Sequence, residues 1–400
     1  MAYKLWAVPF LLVLTGCASS QLWDTGSLKQ EQFIEEIPVR LVNGLIFLDV
    51  EADGRPLTFL LDTGAPTIID EGAVEALNLP VRKYGTAQDA YGRRDRINRT
   101  RIKHLKIGGL DFRNQPALIS PLRTIPVFNC LEIDGLLGAN LMKRAYWQFD
   151  YERERLLVTD QLENLPVPES ALQIPFRTKA QGTPIIDLRI GDSLSIADVT
   201  LDFGSGNGLT LERSLFPEEW IKKAEVYTDG IAGVGLYGAA MDSVWYREMP
   251  GLFTTQGDTV AAAVFLRVKR GGSHLLGTEL LRHFRVTIDW RANMLYLEPR
   301  GEVVQTWRGM GFSVTPEEDG LVVSKLVYPS PAVDAGLQLG DRLVKVDGER
   351  VGHADFCWLL EQFREGDGPV SLGFEREGEG DIALRLNAVD IYGEARKLKR

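Results

Sequence analysis

The chain has 400 residues, 44% of them hydrophobic and 25% charged, and its 45 Lys plus Arg against 55 Asp plus Glu give a formal net charge of −10. These globular proportions exclude a disordered, collagenous or multi-span membrane chain, and at about 100–200 residues per domain the length predicts two to four domains. A pI near 5.2 without a long Lys/Arg cluster argues against nucleic acid as a partner; the basic residues from Arg396 to Arg400 read as a frayed, solvated tail.

Lys4 precedes an apolar run from Leu5 to Leu14 and small residues ending at Cys17, the pattern of a signal peptide too short to span a bilayer. Leu14-Thr15-Gly16-Cys17 resembles the lipobox of bacterial lipoproteins. That resemblance implies a signal peptide of residues 1–16 and acylation of Cys17, with each buried methylene adding about 0.8 kcal/mol to the anchoring. Ala18 in place of an Asp points, by the same resemblance, to the outer membrane of a bacterial cell envelope, facing the periplasm. Residues 17–32 then read as a polar tether. Cys130 and Cys357 lie 227 residues apart in what read as different domains, which argues against a disulfide even in an oxidising compartment. His104, His274, His283 and His353 are scattered and no Cys or His pair has ligand spacing, so no metal is expected.

From Ile37 onward, short alternating apolar runs separated by Gly, Asp, Asn and Pro predict a mostly β chain. Two segments repeat: Phe59-Leu60-Leu61-Asp62-Thr63-Gly64-Ala65 and Val199-Thr200-Leu201-Asp202-Phe203-Gly204-Ser205, at an offset of 140. Leu136-Leu137-Gly138 recurs as Leu275-Leu276-Gly277 at an offset of 139, and a gapless block follows each, placing Asp150 on Asp289 and Leu156 on Leu295. The chain therefore contains two related halves, residues 33–160 and 173–299. Asp150 and Asp289, each at the end of a strand before a polar turn, read as structural.

Asp62-Thr63-Gly64-Ala65 together with Ile133-Asp134-Gly135-Leu136-Leu137-Gly138 resembles the aspartic peptidases of the retropepsin and pepsin clan. The resemblance implies a bilobal acid-protease β-barrel fold with Asp62 and Asp202 as the catalytic pair, supported by Thr63, Gly64, Gly204 and Ser205. Two carboxylates so close cannot both ionise cheaply; they share a proton, and the ionised member draws a proton from a water that attacks the peptide carbonyl. By the same resemblance, the Thr63 hydroxyl is expected to hydrogen-bond across to the other half. Phe203 stands where the clan has Thr or Ser, so this clasp cannot be symmetric. Asp-Phe-Gly also matches the magnesium loop of protein kinases, but no glycine-rich nucleotide loop accompanies it.

The polar hairpin Gln88 to Asp95, with Tyr91-Gly92, resembles a pepsin flap. The glycine-rich segment Gly230 to Gly238 contains Gly233-x-Gly235-x-x-Gly238, but without a strand–turn–helix context it reads as a mobile loop over the cleft and not a nucleotide site. Beyond Gly301 the texture changes. Pro331-Ala332 through Ala335-Gly336-Leu337, Gly340-Asp341-Arg342-Leu343 and Val346-Asp347-Gly348 resembles a periplasmic PDZ domain, α+β, over residues 306–387, followed by a tail of residues 388–400. By that resemblance Gly309, Met310, Gly311 and Phe312 form the peptide-binding loop, for a peptide C-terminus or internal segment, and a helix from Ala354 to Phe363 closes the groove.

The expectation is a lipid-anchored periplasmic aspartic endopeptidase acting on proteins or peptides without a cofactor, its PDZ domain recruiting or positioning them. Two other readings remain open at this point: a catalytically degenerate envelope adaptor, or a homodimeric peptidase using only Asp62.

Overall fold

The computed structural model describes residues 22–365 and 368–398, so Cys17 and the signal sequence lie outside the described residues. Two psi-shaped loops organise the first 300 residues. In the first half, strand Arg55–Asp62 runs beside Gly135–Gly138 in parallel, with Gly138 opposite Asp62, while Gly135–Gly138 also pairs antiparallel with Ile68–Asp70. Phe59, Leu60 and Leu61 are all buried, which explains a continuous apolar run in place of alternation: the strand is covered on both faces. In the second half, Leu194–Leu201 runs parallel to His274–Leu276, which pairs antiparallel with Leu209–Glu212. Leu276 faces Leu201 as Leu137 faces Leu61, so the sequence repeat is reproduced in strand register.

A six-stranded sheet joins the halves. Its centre is the antiparallel pair Tyr146–Asp150 and Phe284–Asp289, in which Trp147 faces Ile288, Gln148 faces Thr287 and Phe149 faces Val286. Gln148 and Thr287 are repeat mates, and Gln148 Nε2 donates to Thr287 Oγ1 at 2.8 Å; a pseudo-twofold axis passes through this pair. Asp150 and Asp289 close the ends of these strands. Asp289 Oδ1 accepts from the amides of Arg291 and Ala292, and Asp150 meets Arg285 and Arg300.

The C-terminal module has strands Phe312–Glu317, Gly320–Tyr328, Arg342–Val346, Val370–Arg376 and Gly380–Leu386 around a core that includes Leu321, Leu343, Leu359 and Phe374. Buried Asp341 takes a two-pronged contact from Arg376, at 2.7 and 2.8 Å. The helix predicted from Ala354 begins later: His353–Asp355 is a 3-10 turn and the α-helix is Phe356–Glu365. The module is not a separate bead. Its strand Gly320–Tyr328 pairs with Val226–Gly235 of the second half, extending one sheet through both, and Tyr227 stacks on Tyr328 at 4.4 Å.

Three expectations are corrected. Cys130 and Cys357 form a disulfide, with Cα atoms 5.1 Å apart. Docking of the C-terminal module lays helix Phe356–Glu365 against Pro126–Cys130, and sequence separation carries no information about that contact. As far as Leu398 the C-terminal segment is no frayed tail: Ile391–Leu398 is a helix whose buried Tyr392 stacks on Phe265 at 4.0 Å, and Arg396 pairs with Glu248 at 2.7 Å, while residues 399–400 lie outside the described residues. The described part of the tether is also packed, since Trp23 is buried beside Tyr84 and Ser27–Leu28 adds a strand to Leu110–Ser120.

Candidate active site

Each psi loop delivers one aspartate to the floor of a cleft enclosing about 670 Å³ between the lobes. Asp62 Oδ1 accepts from the backbone amides of Gly64 at 2.8 Å and Ala65 at 3.0 Å; Asp202 Oδ1 accepts from Gly204 at 2.9 Å. The two carboxyls lie within hydrogen-bonding reach of each other. A Cβ on Gly64 would sit 2.8 Å from Asp202 Oδ1, and one on Gly204 would sit 2.6 Å from Asp62 Cγ, so glycine at both positions is what lets each loop approach the opposite carboxyl.

Burial and mutual repulsion raise both acids. Desolvation pushes Asp62 up to about 6 against its two amide donors, and desolvation followed by the charge of Asp62 pushes Asp202 well above the ordinary carboxylate range. Two amide donors on Asp62 against one on Asp202 favour the ionised form on Asp62. Once Asp62 has ionised, and while Asp202 keeps its more tightly held proton, the pair carries one proton.

The clasp between loops is one-sided. Thr63 Oγ1 donates to Leu201 O at 2.6 Å and accepts from Phe203 N at 3.1 Å, all within the core. Phe203, fully buried, has no hydroxyl to return; its ring stacks on Phe149 at 4.2 Å, beside the pseudo-twofold axis. Ser205 holds the second loop to the short helix Thr278–Leu281, its carbonyl accepting from Thr278 N at 2.9 Å and Thr278 Oγ1 at 3.1 Å.

Two hairpins close over the cleft. The first joins Arg82–Gln88 to Arg94–Ile107, with Tyr91 and Gly92 at its tip and Asp89 Oδ1 accepting from the amides of Tyr91 and Arg93. The second is an ordered β-hairpin, Val226–Gly235 with Gly238–Met241, and not the loop expected for this segment; its glycines form a strand turn. Each grips the other. Arg93 donates to the carbonyls of Tyr237, at 3.0 Å, and Ala239, and Tyr237 Oη donates to Ala87 O at 3.2 Å.

In the C-terminal module Gly309 pairs with Val389, Met310 is buried with its carbonyl accepting from Ala332, and Gly311 O accepts from Val327 N. Phe312 packs edge-on against Phe363 and Phe374. Strand Phe312–Glu317 and helix Phe356–Glu365 form one side of a cavity of about 700 Å³, whose other walls include the second hairpin, the start of strand Arg94–Ile107 and the Pro126-Val127 turn. Val127, Gly233, Val234 and Leu236 line both this cavity and the dyad cleft.

Sequence reasoning missed Lys179, Arg267 and Lys269 on the cleft wall. Lys179 lies near enough to Asp202 for its charge to favour the carboxylate. The signal for the other two was a pair of cations at alternate positions at the end of the apolar strand Thr259–Lys269.

Comparison with known proteins adds to this geometry. The family described as aspartyl protease matches residues 48–141, which include Asp62 and stop short of Asp202, and the PDZ domain family matches residues 309–383. A Bartonella henselae protein named as a zinc metalloprotease is 43% identical over 58 residues, 14% of this chain and 16% of that protein, so the chain spans less than a fifth of this relative. Among solved structures, basic 7S globulin from soybean is similar at 12% identity over 68% of this chain and 96% of its own, TM-score 0.40. Conglutin gamma from lupine seeds is similar at 12% identity over 67% and 95%, TM-score 0.41. A retropepsin-like aspartic protease from Rickettsia conorii is similar at 18% identity over 32% and 94%, TM-score 0.24. The chain thus contains an aspartyl protease domain and a C-terminal PDZ domain on a mostly β framework.

Proposed function

We propose that the protein is a lipid-anchored aspartic endopeptidase of the bacterial envelope that uses Asp62 and Asp202 of one chain as its dyad. The observation that carries this reading is the convergence of the two repeat-related aspartates, each facing the other loop's glycine. Ionised Asp62 takes a proton from the attacking water, and protonated Asp202 donates to the carbonyl oxygen of the scissile bond. The arrangement favours a single-chain dyad over a homodimer, because Asp202 already stands where a second Asp62 would be required. Retained carboxyls with raised proton affinity favour catalysis over a degenerate adaptor.

The PDZ domain recruits or positions protein substrates in this proposal. Its support is the cavity beside strand Phe312–Glu317, which shares a wall with the dyad cleft. The Cys130–Cys357 disulfide supports an oxidising, extracytoplasmic location, and attachment through Cys17 to the outer membrane follows from the lipobox resemblance alone.

The test is cleavage of a reduced, alkylated protein by the full chain across pH 4 to 9, roughly the window in which such acids titrate, with Asp62→Asn alongside. Cleavage that is lost in the variant supports the proposal. No cleavage by wild type at any pH sinks it and returns the adaptor reading.

A further inference from the structure

Arg267 and Lys269 point from one face of strand Thr259–Lys269 and are 3% and 2% exposed, yet both line the dyad cleft. No carboxylate among the described residues forms an ion pair with either. Their partners are neutral. Arg267 donates to Ala232 O at 2.5 Å and meets the hydroxyls of Tyr91 and Tyr246, while its buried Nε has no partner. Lys269 Nζ donates to Gly271 O at 2.5 Å and Ala90 O at 3.1 Å, and lies 5.0 Å from the centre of the Tyr91 ring.

Two buried cations without a counter-charge are costly. Desolvation, then the neighbouring Arg267, pushes the Lys269 ammonium down to about 8. Of the nearest acids, Glu212 is held by Ser214 and Gly271, Asp242 by Arg270, and Asp89 by the amides of its own hairpin tip through Oδ1, while its buried Oδ2 makes no hydrogen bond. Ala90, Tyr91 and Asp89 all belong to the first flap. A peptide that displaced this flap would remove that carbonyl, hydroxyl and acid together, leaving Arg267 with Ala232 O and Tyr246 and Lys269 with Gly271 O.

We propose that Arg267 and Lys269 form a carboxylate-recognising subsite on the second-lobe wall of the cleft, occupied by an acidic side chain or by the carboxyl terminus of the bound peptide. The inference rests on the cleft being a peptide site, as proposed above, and names the charge its substrates carry. A planar guanidinium beside an ammonium supplies charge-assisted hydrogen bonds to both oxygens of a carboxylate, and a neutral amide of the same shape would leave cationic donors unmatched.

The test uses three fluorescein-labelled peptides of otherwise identical sequence on the full chain: internal Glu with an amidated end, internal Gln with an amidated end, and internal Gln with a free carboxylate. Cleavage is followed with wild type and binding by anisotropy with Asp62→Asn. One acidic peptide is expected to exceed the amidated Gln peptide by about ten- to a hundredfold in kcat/KM and in affinity, the range of a hydrogen bond to a charged group. A preference for internal Glu assigns the subsite to a side chain; a preference for the free end assigns it to the terminus. Lys269→Met should abolish the preference and Lys269→Arg retain it, so a variant that fails to fold leaves the Arg variant and the wild-type comparison to decide. Equal handling of all three peptides by wild type, or a preference that survives Lys269→Met, overturns the subsite. Charge-selective binding without cleavage would instead remove the peptidase reading and leave the subsite standing.

Discussion

The two dyad loops descend from one repeat and hold their aspartates by different means. The first loop uses polar reach: Thr63 spans the lobe boundary and fixes both Leu201 O and Phe203 N. The second uses bulk, with Phe203 sunk into the core against Phe149. A single threonine hydroxyl already satisfies one donor and one acceptor of the opposite loop, so the partner position was free to exchange a hydrogen bond for apolar packing. The lobes also grip the PDZ domain differently, the first through the Cys130–Cys357 bond and the second through a shared sheet.

The largest effect should come from the aspartates. Asp62→Asn is expected to lower kcat/KM by about 10²- to 10⁴-fold, the usual worth of a positioned acid or base. Because the folded protein binds the Asp62 proton more tightly than the unfolded chain, stability is fully present below the unfolded value and is lost as pH rises through about 6. The same variant should therefore denature at higher urea than wild type at pH 7, and a lower midpoint would contradict the buried, repelling pair. Wild-type kcat/KM should rise with pH through about 6 as Asp62 ionises; maximal activity well below that value would break the proton assignment.

Phe203→Ala tests the packed loop and should cost about 3–5 kcal/mol in urea unfolding. Thr63→Val tests the polar one. It should cost about 1–3 kcal/mol while lowering kcat, since the dyad loses its cross-lobe spacing. If the two variants affect stability and rate in the same ratio, the contrast between the loops fails. Smallest of all, a chelator should leave cleavage unchanged; inhibition reversed by added zinc would favour a metal-dependent activity.

Much of this architecture was legible in the chain, because a duplicated motif constrains register as well as fold. The second block, at an offset of 139, makes Gln148 and Thr287 equivalent positions, and the strands bring this equivalent pair face to face on the pseudo-twofold axis. The resemblance to aspartic peptidases implied the cross-lobe reach of Thr63, and the missing hydroxyl of Phe203 showed that the clasp could not be returned. What escaped was decided by contacts between modules. The disulfide depends on how the PDZ domain docks, and the C-terminal helix on an aromatic cluster from three distant segments, Phe265, Trp307 and Tyr392. The alternate cations Arg267 and Lys269 at the end of an apolar strand were the one available signal, and it does not say that this end lines a cleft.

The central claim, that one chain completes its own dyad from two unlike loops, is tested most directly by the cleavage rate of full-length Asp202→Asn on an unfolded protein at neutral pH. The account predicts a loss of about 10²-fold or more, as for Asp62→Asn. A rate close to wild type, with Asp62→Asn inactive, would contradict it and assign the chemistry to Asp62 residues from two chains.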